Sequence, residues 1–379
     1  MKSEEDVVVS TFIMRLPRGK GLRVALKDIV DMEGLPTTVG SRAWALRAEP
    51  AMKDAACLAG LRQAEREGTA HIIGRTNLHE FCFGVTGVNP WYGTPVNPMD
   101  PGRVPGGSSS GSAAAVGSGE ADIAIGSDSG GSIRIPAASC GISGLKTTLG
   151  RISLEGVWPL APSLDTIGPM ARDVAGLTQG MALLEPGFQV TESLPEHVGR
   201  IRLDVDPSVD AAIDAALQET GLRIEDVALP SWGGADAGTL TILFAEAWAL
   251  YGHMLDEDAS DLGEDIQTRL RAGAATTAQD VAAAKQVRER LRAEFDEAFK
   301  RFPILVQPTL LGDPVRLEDA ATMYTRISTR PVNLVGLPAV AIPVPRRGQL
   351  PTSVQLIGPP NSEGLLLATA GAIESAISR

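Results

Sequence analysis

Two glycine–serine clusters, Gly-Gly-Ser-Ser-Ser-Gly-Ser at 106–112 and Ser-Asp-Ser-Gly-Gly-Ser at 127–132, hold the residue types that acyl transfer needs. Hydroxyls can act as nucleophile and proton carrier. Glycines let consecutive backbone N–H groups converge on one point, as an oxyanion hole demands. An isolated serine is a weak nucleophile and needs a base within hydrogen-bond reach. Downstream of the clusters the only histidines are His197, in a polar stretch, and His253, beside Tyr251 on a helical pattern, and neither has a motif-like context. The other candidate base is Lys27, in Val-Ala-Leu-Lys-Asp, which follows the apolar run 22–26. A lysine serves as a base at pH 7 only when burial lowers its pKa. On spacing alone, a surface Lys27 paired with Asp28 is the plainer expectation.

Several serines compete for the nucleophile role. Gly107-Ser108-Ser109-Ser110-Gly111 fits the G-x-S-x-G elbow, which would make Ser109 the nucleophile. That elbow needs a strand just before it and an Asp and a His after it. Here a Pro-Gly loop precedes, and no suitable histidine follows. A phosphate cradle fits less well: no Walker pattern is present, and Gly-Ile-Ser-Gly-Leu-Lys-Thr at 141–147 lacks the Gly-Lys pair. Ser129-Gly130-Gly131-Ser132, by contrast, follows a core-strand pattern, so the Ser132 hydroxyl can attack a carbonyl held by the N–H groups around it.

The elements that must carry these residues follow a β–α–β rhythm. A strand over 22–26 leads into Lys27, a helix over 52–67 stops at Gly68, and a buried strand covers 71–74. Residues 84–112 are loop-like, with Trp91, Tyr92 and Val96 favouring an ordered, packed loop. A helical turn over 113–116 and a core strand over 121–125 deliver the second cluster. A second unit places strands at 201–203 and 227–229 around a helix capped by Asp206, with Pro207 at its first position and Gly221 at its end. Residues 238–301 are mostly helical, with Val287, Leu291 and Phe295 on one face and a solvated charged face opposite. Further buried strands fall at 303–306, 339–342 and 353–357. Position 185 suits a linker, but strands on both sides can share one sheet.

The 379 residues are 44% hydrophobic, enough for one large α/β domain or two smaller ones. A net charge of −12 argues against nucleic acid or an anionic membrane as the main partner. Three cysteines, Cys57, Cys82 and Cys140, without paired spacing, suit reduced thiols rather than a disulfide framework or a zinc site, and no metal or cofactor is expected. The start, Met-Lys-Ser-Glu-Glu-Asp, lacks the apolar core of a signal peptide, and no apolar run reaches the ~20 residues of a membrane span. The expected location is cytoplasmic.

The stretch Val-Pro-Gly-Gly-Ser-Ser-Ser-Gly-Ser at 104–112 through Gly-Ser-Asp-Ser-Gly-Gly-Ser-Ile-Arg at 126–134 resembles the signature of the amidase signature family. The resemblance continues at 140–146 and 163–169, upstream at Lys27-Asp28 and 75–81, and downstream at 333–338 and 350–358, so it spans nearly the whole chain. It implies a mixed central β-sheet covered by helices on both sides. It also implies a single domain over 1–379, with a signature core at about 20–185, a less typical helical region at about 238–301, and C-terminal strands within 303–379 returning to the same sheet. It further implies a Ser–cis-Ser–Lys triad: Ser132 as nucleophile, Ser108 after a cis peptide as relay, and Lys27 as base. The backbone N–H groups of Ser129, Gly130, Gly131 and Ser132 would form the oxyanion hole.

Ser110 stands where the family commonly has glycine, and its hydroxyl is expected to join the network around Lys27. Ser109 is expected to support that network, and Asp128 and Arg134 to form an ion pair behind the nucleophile. Cys82 and Phe83 align with family channel residues. Trp91 and Trp158 are further candidates for the pocket wall, against plain core packing. Only 26 residues precede Lys27, and this shortness, with the first cluster, resembles the plant indole-3-acetamide hydrolase branch. The expected reaction is hydrolysis of a small-molecule amide to the acid and ammonia or an amine. One alternative is a hydrolase of urea-derived amides such as carboxybiuret, in which one arginine would recognise a carboxylate. The other is the ammonia-releasing component of an amidotransferase complex. An oligomer is left open. A non-catalytic binding module would be marked by loss of Lys27, Ser108 or Ser132, and all three are present.

Overall fold

Strand β2 (Leu22–Lys27) is buried along its last four residues because parallel strands flank it on both edges. Its neighbours are β3 (Ala70–Thr76) and β4 (Ile123–Ser127), and β4 is buried throughout. A strand covered on both faces reads as a nearly continuous apolar run, which is why this part of the sheet was legible. Alternate residues serve opposite faces. Val24, Leu26, Ile123 and Ile125 join the larger apolar cluster, while Ala25 and Ala124 join a second one with Ala113, Ala115 and Val116. The small residues let the helix Ser110–Gly117 lie close against the sheet.

The computed structural model describes residues 11–257 and 259–378. The acidic start at 1–6 lies outside the described residues. Among the described residues eleven strands form one mixed sheet in the order β1-β3-β2-β4-β6-β5-β10-β11-β9-β7-β8. The remaining strands are β1 (Phe12–Arg15), β5 (Ser143–Lys146), β6 (Ile167–Ala171), β7 (His197–Ile201), β8 (Arg223–Val227), β9 (Leu305–Pro308), β10 (Ala339–Val344) and β11 (Thr352–Ile357). The sheet runs unbroken past residue 185, so the two flanking units share it. Helices Ala59–Glu67, Val174–Leu184, Pro207–Glu219 and Glu363–Ile377 form one connected layer. Ser110–Gly117 and Arg134–Ser139 pack together against the sheet as well. Helix Trp232–Tyr251 packs on Glu264–Ala274, Ala278–Phe299 and Arg330–Leu334.

Several boundaries differ from the sequence reading. The strands expected at 201–203 and 227–229 begin and end earlier, at His197–Ile201 and Arg223–Val227. Gly199 and Arg200 must register with Leu305 and Val306, and Arg202 already turns out to pair with Asp210, Asp214 and Asp226. The Asp206 cap and Pro207 start are as read, the carboxylate accepting from the Ser208 N–H. The loop after residue 84 is held from inside by asparagines: Asn89 Nδ2 donates to the carbonyls of Gly40 and Leu78, and Asn97 Nδ2 to those of Val104 and Ser139.

At Gly168, on β6, a Cβ would lie 2.0 Å from the Leu145 carbonyl oxygen. Gly168→Ala is therefore expected to push β5 and β6 apart and lower unfolding free energy in urea by about 1–3 kcal/mol. An unchanged midpoint would show that the strands can yield without cost.

Candidate active site

The parallel trio aligns the C-terminal ends of β2 and β4, with Leu26 opposite Ile125. Carboxyl ends of parallel strands are where α/β sheets place ligands. Lys27, the last residue of β2, is fully buried, and its Nζ lies 2.7 Å from Ser108 Oγ and 2.8 Å from Ser127 Oγ. It is not the surface lysine that spacing suggested. Asp28 pairs instead with Arg75 at 2.6 Å, and no carboxylate forms an ion pair with Lys27 among the described residues. Burial lowers the Lys27 pKa, opposed first by Cys82 and then by Asp128 and Asp165. Ser127 was missed by sequence reasoning. The available signal was its place at the end of the strand that runs parallel to the one ending in Lys27.

The first cluster meets the second through its backbone. The Gly107–Ser108 peptide is cis. The Ser109 N–H donates to the Ser132 carbonyl at 3.2 Å, and the Ser109 hydroxyl, with no exposed surface, donates to the Ser127 carbonyl at 3.3 Å. The Ser109 hydroxyl is thus committed to the Ser127 carbonyl, between the two clusters. Ser110 does not join the lysine network: its hydroxyl is buried without a partner among the described residues, and its Cβ lies against Gly87.

The second cluster wraps the Asp128 carboxylate. Asp128 and Arg134 are both fully buried and pair at 2.9 Å. Arg134 spends its remaining donors on Gln355 Oε1, the Thr329 carbonyl and Asn333 Oδ1. Burial opposes the Asp128 charge, but Arg134, Lys146 and Asn333 override it and hold the carboxyl well below the usual range. The same carboxylate accepts the N–H groups of Gly131 at 2.8 Å and Ile133 at 3.2 Å. This corrects one expectation: the Gly131 N–H is directed into the protein by Asp128. The N–H groups of Ser129, Gly130 and Ser132 have no acceptor among the described residues. Ser129 itself is fixed by its hydroxyl, which donates to Asp165. Ser132 is 6% exposed, and its Oγ has no hydrogen-bond partner among the described residues.

Ser132 opens on a slot lined also by Cys82, Phe83, Leu243 and Phe244, with a cavity volume of only about 30 Å³. Cys82 and Phe83, both expected in a pocket wall, line this slot. Trp158 lines an adjoining chamber of about 260 Å³ that shares Cys82 and Ser129 with the slot, and its ring lies 4.5 Å from that of Trp44. Trp91 borders neither space. It packs under the Arg42 guanidinium, 5.6 Å away, because the buried loop turns it from the sheet ends. His197 hydrogen-bonds the Arg301 carbonyl at 2.6 Å, and neither it nor His253 lines the slot. Arg269, Tyr324 and Arg330 do line it and were not anticipated. Arg269 comes from the stretch 238–301 read as mostly helical, and Tyr324 and Arg330 from a segment to which the sequence reading assigns no element. Among the described residues no group of three or more His, Cys, Asp or Glu side chains is arranged to hold a metal ion.

The family model described as Amidase matches residues 17–185 and 193–367, and the chain belongs to the amidase signature family. It is an amidase-family enzyme acting on C–N bonds. The A subunit of the glutamyl-tRNA(Gln) amidotransferase of Symbiobacterium thermophilum is 34% identical over 93% of this chain and 82% of its own length. A solved structure described as an amidase superposes with a TM-score of 0.84 at 30% identity, covering 94% of this chain and 85% of the other. Allophanate hydrolase of Kluyveromyces lactis gives a TM-score of 0.84 at 26% identity over 94% of this chain and 62% of its own. No helix among the described residues is long and apolar enough to cross a membrane.

The buried Asp128–Arg134 pair yields a direct prediction. Arg134→Ala leaves a buried carboxylate without its counter-charge, so unfolding in urea should show a loss of about 3–5 kcal/mol. A loss below about 1 kcal/mol would mean that Asn333 and the turn N–H groups suffice to hold Asp128.

Proposed function

We propose that this enzyme hydrolyses a small carboxylic amide to the acid and ammonia or an amine, through an acyl-enzyme on Ser132. The observation that carries the reading is the buried Lys27 amine, 2.7 Å from Ser108 Oγ and without an ion-pair partner among the described residues. Desolvation disfavours its charged form, so a lone pair is available to accept a proton. Ser127 Oγ, at 2.8 Å, takes one N–H of that amine and orients the lone pair toward Ser108.

In the first step Ser132 Oγ forms a bond to the amide carbonyl carbon. Its proton passes to Ser108 Oγ as the Ser108 proton passes to Lys27 Nζ. The carbonyl oxygen gains the electron pair and is held by the uncommitted N–H groups of the Ser129–Ser132 turn. No hydrogen bond yet joins Ser108 Oγ to Ser132 Oγ among the described residues, and catalytic contacts often close only when substrate is bound. The tetrahedral intermediate then collapses. The C–N bond breaks, and the relay runs backwards, from Lys27 through Ser108 to the leaving nitrogen. Water, deprotonated along the same path, attacks the Ser132 ester and releases the acid. No cofactor enters any step.

A second reading is supported by the 34% identity to a glutamyl-tRNA(Gln) amidotransferase component: release of ammonia from an amide for use by partner proteins. The likeness to allophanate hydrolase supports the urea-derived substrates instead. Ammonia release by the isolated chain across a panel of small amides would favour the free hydrolase. Release from glutamine that appears only with added partner proteins would favour the complex.

Two outcomes test the relay. A fluorophosphonate should label Ser132, and Ser132→Ala should reduce ammonia release by more than about 10³-fold. Full activity in Ser132→Ala, or labelling at Ser109, contradicts the mechanism. The second outcome concerns pH. Burial lowers the Lys27 pKa, so the neutral base is present above that lowered value and is lost as pH falls through it. The kcat/KM profile should therefore rise with pH along one limb, and Lys27→Ala should remove that limb and cost about 10²–10⁴-fold.

A further inference from the structure

Residues 79–86 run beside the first glycine–serine cluster and hold its backbone at two points. The His79 N–H donates to the Ser108 carbonyl at 3.0 Å, and the Gly107 N–H donates to the Val85 carbonyl at 2.7 Å. Ser108, whose hydroxyl meets Lys27, is thus tied to one end of this segment, and Gly107 to the other. The place of Ser108 Oγ relative to Lys27 Nζ therefore depends on the shape that residues 79–86 keep.

One side chain closes that shape. His79 Nδ1 lies 3.2 Å from Thr86 Oγ1, and its Nε2 lies 2.7 Å from Asp265 Oδ2 on helix Glu264–Ala274. The Val88 N–H donates to the same Thr86 oxygen at 3.2 Å. Burial lowers the His79 pKa, opposed by Asp265 and reinforced by Arg269, so the ring is neutral at pH 7. Burial also opposes the Asp265 charge, but His79 and Arg269 outweigh it and the carboxylate stays ionised. A neutral imidazole has one donor and one acceptor, and a carboxylate only accepts. The ring proton is therefore assigned to Nε2, and Nδ1 accepts the Thr86 hydroxyl. Every group is then satisfied in one direction, from Val88 through Thr86 and His79 to Asp265. The ring also has no room to shift: a Cβ at Gly84 would lie 2.2 Å from His79 Nε2.

We propose that His79 is a positioning residue for the proton relay: its imidazole, held between Thr86 and Asp265, fixes the segment that fixes Ser108. The inference rests on the amidase reading above, in which Ser108 carries the proton between Ser132 and Lys27. A relay works only over hydrogen-bond distances, and a displacement on the order of 1 Å can cost about 10²-fold in rate. Ser108 Oγ must keep its 2.7 Å contact with Lys27 and still close on Ser132 when substrate binds. His79 borders an outer chamber of about 690 Å³ but not the slot at Ser132. For a small amide its loss should therefore be felt in kcat rather than in KM. The same chain of hydrogen bonds makes the relay depend on helix Glu264–Ala274, which supplies Asp265.

The test is a double-mutant cycle with Ser108→Ala in the full chain, read by ammonia release from small amides and by the rate of fluorophosphonate labelling at Ser132. His79→Ala should lower kcat and the labelling rate by about 10–10²-fold, with KM little changed. Thr86→Val and Asp265→Ala should lower them in the same direction. Asp265→Asn, which can still accept the Nε2–H, should recover most of the loss. In the Ser108→Ala background none of these substitutions should slow labelling by more than about 2-fold, because the group they position is gone. Losses that multiply with that of Ser108→Ala overturn the inference, since His79 then acts on something other than the relay. Wild-type rates in His79→Ala, or a loss confined to KM, overturn it equally and leave the amidase reading standing. Thr86→Val and Asp265→Ala carry the same cycle if His79→Ala does not fold. A wild-type chain that hydrolyses no amide and is not labelled at Ser132 overturns both readings.

Discussion

The structure is built around a lysine amine taken out of water without a counter-ion. Burying an ammonium is expensive, and a chain can avoid the cost by pairing the group or by letting it lose its proton. At Lys27 no carboxylate forms an ion pair among the described residues, and two hydroxyls stand at hydrogen-bond distance instead. That choice requires a dry place at the end of a strand buried on both sides, which the parallel trio β3-β2-β4 supplies. It also requires that the nearest strong charges be settled among themselves. Asp28 is tied to Arg75 and Asp128 to Arg134, and neither forms an ion pair with Lys27.

Asp128 has a second effect that follows from its place two residues before the glycine pair. Its carboxylate gathers the Gly131 and Ile133 N–H groups, which folds the chain into a turn and sets Ser132 at the mouth of the slot. The turn is pinned from outside by Thr329, whose hydroxyl donates to the Gly130 carbonyl at 2.7 Å. The first cluster is locked onto the second by the Ser109 N–H on the Ser132 carbonyl. The two glycine–serine clusters are thus one assembly: Ser108 faces the lysine, Ser132 faces the slot, and Ser109 and Asp128 fix the distance between them.

How much of this was legible follows from the physics of each part. Strands buried on both faces announce themselves as apolar runs, so 22–26, 71–74, 339–342 and 353–357 were found nearly in place. Strand β8, at the sheet edge, has an exposed and charged sequence, Arg-Ile-Glu-Asp-Val, and its limits were misplaced. Strands β5 and β6 were not assigned from the sequence, because Gly144, Gly168 and Pro169 are residue types depleted in strands. The motif carried Lys27, Ser108 and Ser132 as a set. It could not show which N–H of the glycine turn is diverted, because that depends on where the Asp128 carboxylate points. Nor could it show that Ser127, rather than Ser110, completes the contacts of Lys27, since that is decided by strand register. Trp91 illustrates the limit of composition: an aromatic in a functional loop is as readily a brace as a wall. Arg269 lies far along the chain from the first cluster and reaches the slot only through the packing of its helix on Trp232–Tyr251.

The proposed relay requires Lys27 to be an uncharged amine when the enzyme works. Side-chain ¹⁵N NMR of the lysine-labelled protein across pH measures this directly, with the Lys27 resonance assigned by its loss in Lys27→Met. Lys146, whose burial lowers its pKa to about 7, provides an internal comparison for a second shifted lysine. The Lys27 resonance should titrate well below the ordinary lysine range, with its midpoint at the rise in kcat/KM. A Lys27 side chain that stays an ammonium up to the ordinary lysine range, in an enzyme fully active at neutral pH, would contradict it.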